Sequence, residues 1–543
     1  MAQLQTLLSR TLMVATFRSA TGRLGCPGLA QATLIVVVAG LLWRTVRYAL
    51  AFPLWGDEAF VAVNFLARNL VGLTRPLEYF QIAPPGFLLA EWLAIHVFGT
   101  GERALRLVPY LAGVASLLLF WRFCRGVASR RTVLLAVAML AASFFPVRHS
   151  TEVKPYAIDL LVSLMLISTG WAVGRDLRSH RAWLALFGVT IVGVWCSYAA
   201  VFPAAGVALF LGARVVRERS SRLVALWLTH GLLMTLSWGI MFVTFAHPQA
   251  RAADFLPLLE TWRDAFPPLA EPLRLPFWLL EIHTGYMLAY PYGGNDFGSA
   301  LTTLLVVAGG IRMARRRARR PLLFLLLAPL PVALVAAALH RYPYGTSTRV
   351  MLYMAPAFCL LTGEGIMSLL QLRQWSSRGP LIGAGLLALI PLVCTAFNVA
   401  SPYKAYDDVL HRNLARWVAT RTAPGDQWVV FNGASPPPPV KDLMVMPWLQ
   451  RVGEAHFYLL KYAPVPLHWE PAPETVVPNI GGKIWLIIQN YGDADYFPEG
   501  RLLAYQGAFE ERFGRPRKTT RFTLPRGESW SICEYSPACR AAP

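Results

Sequence analysis

The sequence predicts a polytopic α-helical membrane protein with a smaller C-terminal α/β domain. Three observations carry this. First, the 543 residues are 55% hydrophobic and 15% charged, where an ordinary soluble chain is ~25% charged; mean hydropathy is +0.44. Second, apolar runs near the ~20 residues that cross a bilayer recur through the first 399 residues. Third, the composition changes there. Residues 1–399 hold 35 Lys+Arg and 16 Asp+Glu, and residues 400–543 hold 16 and 14. The expected domains are therefore 1–399, in the membrane, and 400–543, outside it. A net charge of +21 could point to nucleic acid, but the hydropathy excludes it as a partner. Seven Cys are too few for a disulfide scaffold or to direct the fold.

Eleven spans are expected, near residues 30–50, 104–122, 132–147, 156–173, 182–198, 199–213, 223–246, 298–311, 321–340, 350–372 and 379–399. The positive-inside rule decides the doubtful stretch 84–98. If it does not span, all the basic clusters fall on one side. These are Arg10/Arg18/Arg23, Arg122/Arg125/Arg130/Arg131, Arg175/Arg178/Arg181, Arg214/Arg217/Arg219/Arg222, the run 312–320, and Arg373/Arg378. They hold 22 Arg and only two acids, Asp176 and Glu218. Residues 84–98 are then a re-entrant or interfacial helix begun by Pro84-Pro85. The N-terminus lies in the cytosol and the C-terminal domain outside. Residues 1–56 contain no acid; they read as a cytosolic amphipathic lead-in rather than a transit peptide.

The outer loops collect the unusual residues. The first opens Trp55-Gly56-Asp57-Glu58, and Asp57 is the first acid in the chain. Carboxylates beside a span are costly unless solvated, paired or functional. A helix-ending turn is the plain alternative. The second loop is His149-Ser150-Thr151-Glu152-Val153-Lys154-Pro155-Tyr156, and Lys154 is the only lysine before residue 400. It reads equally as a snorkelling interface pair or as a phosphate-binding cation. The third holds Arg341, Tyr344 and Arg349. Arg presents a planar fork suited to phosphate, and Arg44 sits near the same level. Residues 247–297 form a long aromatic loop, read as an interfacial belt and a lid.

The order Trp-x-Asp-Glu, then Ala83-Pro84-Pro85-Gly86-Phe87, then Glu152-x-Lys154-Pro155-Tyr156, resembles the GT-C glycosyltransferases. The branch is that of protein O-mannosyltransferases, the lipid A aminoarabinose transferase and the bacterial transferases that decorate lipopolysaccharide. The likeness covers about residues 30–200. Residues 342–349 resemble a later outer loop of such proteins. Two positions depart from the pattern: Lys154 where many members have Arg, and Ala83 where many have His.

The resemblance implies transfer of a sugar from a polyprenyl-phosphate donor to an acceptor hydroxyl, with inversion, at the extracytoplasmic face of a bacterial inner membrane. The acceptor would be a glycan, a lipid or a protein. Asp57 is the expected general base, with Glu58 and Glu152 as its catalytic partners. Lys154, Arg349, Arg341, Arg44 and Tyr156 would bind the donor phosphate. His149, Pro84, Pro85 and Tyr344 would line the substrate pocket. No metal is assigned, although Asp57, Glu58, Glu152 and His149 could together form a divalent-cation site. No glycine-rich nucleotide fingerprint is present, and Asp493-Ala494-Asp495 reads as a solvated loop.

Residues 400–543 predict helices at 403–421, 450–462 and 496–513. Strands are expected at 428–431, 484–488 and 529–535, with a stiff proline loop at 436–439. Cys533 and Cys539 share one compartment and are candidates to pair. A transporter or flippase of lipid-linked glycans is the alternative function. It would favour midplane charges and an internal repeat; only Glu364 lies deep in a span, and no repeat is evident.

Overall fold

The computed structural model describes residues 28–252, 262–372, 375, 377–432, 445–491 and 499–536. The expectations for residues 1–27, the Asp493–Asp495 pair, the prolines at 436–439 and Cys539 fall outside them.

The membrane part is built of α1 (Leu29–Ala49), α2 (Gly56–Ala67), α3 (Pro85–Phe98), α4 (Leu107–Val127), α5 (Arg130–Ala142), α6 (Phe144–His149), α7 (Tyr156–Arg175) and α8 (His180–Cys196). There follow α9 (Val201–Glu218), α10 (Ser221–Met241), α11 (Leu275–Thr284), α12 (Ala300–Arg315), α13 (Arg320–Leu327), α14 (Pro329–Ala338), α15 (Ala355–Leu372) and α16 (Gly379–Ala400). Among the described residues, eight helices are long and apolar enough to cross a membrane. The sequence predicts eleven. The difference lies in α5, α8 and α12, which are helical but only 13, 17 and 16 residues long. Residues 84–98 form the 14-residue α3, ~21 Å at 1.5 Å per residue and too short to span.

Local chemistry sets the ends. Pro85 occupies the first turn of α3, where its missing N–H costs nothing. Ser129 and Ser179 cap α5 and α8 by accepting backbone N–H bonds from Thr132 and Ala182. Helix α5 is buried from Thr132 to Ala142, as a helix apolar on every face must be; α1, α4, α15 and α16 surround it. Helices α12 and α15 approach closely because Gly309 and Gly365 meet the facing backbone at Leu361 and Leu305. A side chain at either glycine would collide with that backbone.

The C-terminal part has α17 (Tyr406–Ala419), α18 (Val445–Tyr462) and α19 (Glu499–Phe513) on a five-stranded sheet. The strands are β1 (Gln427–Phe431), β2 (Leu467–Trp469), β3 (Ile484–Asn490), β4 (Lys518–Thr523) and β5 (Ser529–Tyr535), in the order β2-β1-β3-β5-β4. Strands β2, β1 and β3 are parallel, and β5 and β4 are antiparallel to their neighbours. The buried runs in β1 and β3 are legible as strands. The three-residue β2 and the half-exposed β4 are not, since neither has a continuous apolar signal.

This domain docks onto α2. Gly56 and Gly453 lie so close to Gln450 and Phe60 that a Cβ would collide. The Tyr458 hydroxyl accepts the Leu54 N–H at 2.7 Å, Lys461 pairs with Glu102 at 2.8 Å, and the Tyr79 hydroxyl meets His456 Nδ1 at 2.7 Å.

Inside the domain, His411 is fully buried between Glu454 (2.9 Å) and Glu528 (2.8 Å). Burial disfavours its charge, but Glu528 and Glu454 outweigh this and raise its pKa to about 10. A folded-state pKa above the unfolded ~6.5 means a contribution that is complete below pH 6.5 and lost as pH rises through 10. Asp408, raised to about 8 by burial and Glu454, acts in the same direction. Thermal unfolding should therefore occur at lower temperature at pH 10 than at pH 7, by roughly 5 °C or more. His411→Gln should flatten that pH dependence, and an equally steep dependence in the variant would contradict this account.

Candidate functional site

Three remote stretches of chain meet at the domain junction. Trp55 is extended and α2 begins directly after it, so Asp57 and Glu58 stand in the first turn. Carboxylates are favoured there by the helix dipole. They nonetheless point different ways. Asp57 meets Lys154 Nζ at 2.9 Å and Arg349 Nη1 at 2.8 Å. Its side chain is 18% exposed and that of Arg349 26%, so this clamp faces an opening. Glu58 is 2% exposed and receives two bonds from Arg106, at 2.7 and 2.6 Å. It also accepts the Val153 N–H at 2.9 Å.

Glu152 is likewise buried, bonded to Arg148 at 2.6 Å and to His149 Nδ1 at 2.8 Å. Tyr156 opens α7, its ring 5.1 Å from that of His149 and 6.0 Å from the Arg349 guanidinium. Arg349 also lies over Trp262 at 5.2 Å. Gln81, in the approach to Pro84, accepts from Lys154 at 2.6 Å. The double-proline turn is held from outside: Gln249 accepts the Ala83 N–H at 3.0 Å, and Tyr198 donates to the Ala83 carbonyl at 3.0 Å.

A cavity of about 10 Å³, room for one water, lies between Arg47, Trp55, Glu152 and Lys404. Lys404 belongs to the segment between α16 and α17, so the approach to the C-terminal domain contributes a cation here.

The electrostatics follow from these contacts. Burial raises the pKa of Asp57, but Lys154 and Arg349 overcome it and hold the group at about 2. Burial likewise opposes ionisation of Glu152, and Arg148 and His149 keep it well below the ordinary carboxylate range. Burial lowers Lys154, with Asp57 opposing the fall. Burial also lowers Lys404, to about 7, against the pull of Glu152. Six cations, namely Arg47, Arg106, Arg148, Lys154, Arg349 and Lys404, stand around three carboxylates. The surplus suits an anionic ligand.

The structure gathers Asp57, Lys154, Arg349 and Tyr156 at the opening, with Glu152 and His149 behind them. Glu58, expected as a catalytic partner that orients Asp57 or the acceptor, is turned into the protein by Arg106. Arg44 is not brought to the site. The helical repeat turns it inward, and it donates to the carbonyls of Gly40 and Leu140 at 2.9 and 3.4 Å. Arg341 is exposed and makes no ion pair among the described residues. Tyr344 packs on Trp278 and bonds His283 at 3.2 Å. Pro84 and Pro85 shape the turn near Gln81.

Trp262 belongs to the aromatic loop that the sequence singles out, whereas Arg106, Arg148, Gln81 and Lys404 are not singled out by the sequence. Arg148 adjoins the second motif and Gln81 the double proline, so proximity was an available signal. Arg106 and Lys404 carried none.

The acids are engaged by Lys154 and Arg349, by Arg106, and by Arg148 with His149, and among the described residues no three His, Cys, Asp or Glu gather as ligands.

Residues 83–241 match the family model of dolichyl-phosphate-mannose-protein mannosyltransferase. Two structures of ArnT from Cupriavidus metallidurans share the fold. The apo form is 13% identical, covers 93% of this chain and 98% of its own, and has a TM-score of 0.52. The form bound to undecaprenyl phosphate is 13% identical, covers 95% and 100%, and scores 0.53. The chain shares the fold of these ArnT structures. The oligosaccharyltransferase AglB from Archaeoglobus fulgidus is 12% identical over 94% of this chain and 75% of its own, with a TM-score of 0.48. No curated protein matches the chain.

Within this fold the Glu58–Arg106 pair is a positioning device. Removing one partner strands a buried charge, which costs ~3–5 kcal/mol. Arg106→Ala should therefore lower thermal stability far more than Asp57→Asn. Equal melting temperatures for the two variants would sink the positioning role.

Proposed function

We propose that the chain transfers a sugar from a polyprenyl-phosphate-linked donor to an acceptor hydroxyl, with inversion at the anomeric carbon. The clamp of Asp57 between Lys154 and Arg349 carries this reading, because it places a carboxylate and two phosphate-binding cations in one opening. The surplus of positive charge and the match to ArnT bound to undecaprenyl phosphate support the same donor class. The protein lies in the bacterial inner membrane, with the site and the C-terminal domain outside. The basic ends of α4, α5, α7 and α12 face the cytosol. The acceptor belongs to the glycan, lipid or protein hydroxyls of that compartment.

The resting clamp explains how one carboxylate serves as base. Alone, with a pKa near 2, Asp57 is a weak proton acceptor. A donor phosphate competes for Lys154 and Arg349. As the cations turn to the phosphate, Asp57 loses the charges that hold its pKa down and becomes more basic. The acceptor oxygen then attacks the anomeric carbon as its proton passes to Asp57. The bond from carbon to phosphate oxygen breaks, and its electron pair stays on the phosphate. Lys154 and Arg349 stabilise that oxygen, with Tyr156 beside them. Glu152 and His149 hold the loop that bears Lys154, and Glu58 fixes it through Val153. No step requires a metal ligand set.

Two substitutions test this. Asp57→Asn should lower kcat by ~10²–10⁴-fold while donor binding is kept or tightened, since it frees both cations. Normal turnover would remove Asp57 from the mechanism. Lys154→Ala should weaken donor binding by ~10-fold or more with little change in acceptor KM. Unchanged donor affinity, read by titration with a polyprenyl-phosphate sugar, would overturn the phosphate assignment.

A further inference from the structure

A second cavity, rimmed by arginines, lies at the opposite end of α4 and α7, with no part in the proposed transfer. Tyr156 begins α7 at the Asp57 site and Arg175 ends it, which separates the two places by ~30 Å at 1.5 Å per residue. Between the ends of α4 and α7 is a space of about 490 Å³, well within the ~300–1,000 Å³ of small-ligand sites. Arg122, Arg125 and Arg175 line it, and no acid does.

None of these three guanidiniums has an ion pair among the described residues. Arg125 lies over Trp121 at 5.5 Å. The neighbouring Asp176 accepts the backbone N–H of Arg178 instead. Ser168 and Trp171 also line it, and their Oγ and Nε1 atoms are buried without a hydrogen-bond partner in the structure. Buried donors left unpaired cost ~1–3 kcal/mol each. Leu119 and Phe123 add an apolar wall. A neighbouring basic cavity, of about 360 Å³, differs in this respect: it includes Glu364, which pairs with Arg312 at 2.7 Å.

We infer that the cavity between α4 and α7 binds the phosphate of an anionic phospholipid headgroup. The three arginines meet the phosphate charge. Ser168 and Trp171 donate to phosphate or glycerol oxygens, and an acyl chain runs along Leu119 and Phe123. Basic pockets between helix ends suit such headgroups, and guanidinium forks suit phosphate. Under the orientation proposed above, the lipid belongs to the cytosolic leaflet.

The test uses the full chain in detergent, with native mass spectrometry counting bound lipid. The probes are phosphatidylglycerol, phosphatidylcholine and inorganic phosphate. Wild type should retain one phosphatidylglycerol that the Arg122→Gln/Arg125→Gln/Arg175→Gln variant binds at least ~10-fold more weakly. Phosphatidylcholine should show no such difference. Unchanged transferase turnover in the variant would show that it is folded. Should the variant fail to fold, brominated phosphatidylglycerol reads the same cavity in otherwise native protein: it should quench wild-type fluorescence more than that of Trp171→Phe. Arginine-dependent binding of inorganic phosphate without a phosphatidylglycerol increment would keep the phosphate site but assign it to a soluble phosphate compound. Equal retention of both lipids by wild type and variant, or equal quenching with and without Trp171, would overturn the inference.

Discussion

The buried pair of Glu58 and Arg106 fixes the rest of the site. Arg106 bonds both carboxylate oxygens and also donates to the carbonyls of Phe52 and Pro53. Glu58 in turn takes the Val153 N–H. One ion pair thus ties the entry to α2, the start of α4 and the loop that bears Lys154. Charges so deeply buried persist only when each is fully engaged, so these segments have little freedom relative to one another. The half-buried clamp beside the pair, Lys154–Asp57–Arg349, inherits that geometry.

The arrangement separates two sealed carboxylates from one that is partly open. Glu58 and Glu152 are sealed by Arg106 and by Arg148 with His149. Asp57 alone of the three lies at the opening. Its partners belong to other segments of the chain, which a bound anion can draw away. The C-terminal domain closes the construction from outside. Its helix α18 packs on α2 through Gly56 and Gly453, and Lys404 enters beside Glu152. That domain therefore acts on the site by fixing the helix that bears Asp57.

Much of this was legible in the chain because it rests on local pattern. Apolar runs announce helices in lipid, where each must satisfy its own backbone bonds. The runs at 428–431 and 484–488 announce buried strands. Asp57, Lys154 and Arg349 stand out as charges beside spans. The failures share a cause. The lengths of α5, α8 and α12 depend on where neighbours end them. Arg44 was assigned outward from its level in α1, whereas its helical phase turns it toward α5. Arg106 is one arginine among many until the fold places it on Glu58.

By itself the sequence determined the membrane class, the division near residue 400 and the short list of charged residues. Each is a consequence of composition and of spacing along the chain. Only the tertiary structure decided which of two adjacent carboxylates is exposed. Asp57 and Glu58 are one residue apart, and a helix turns by ~100° between them. That rotation sends one to Lys154 and Arg349 and the other to Arg106. The partners lie 48 to 292 residues away, beyond the reach of any local pattern, so packing alone divided the pair into a half-buried group and a fully buried one.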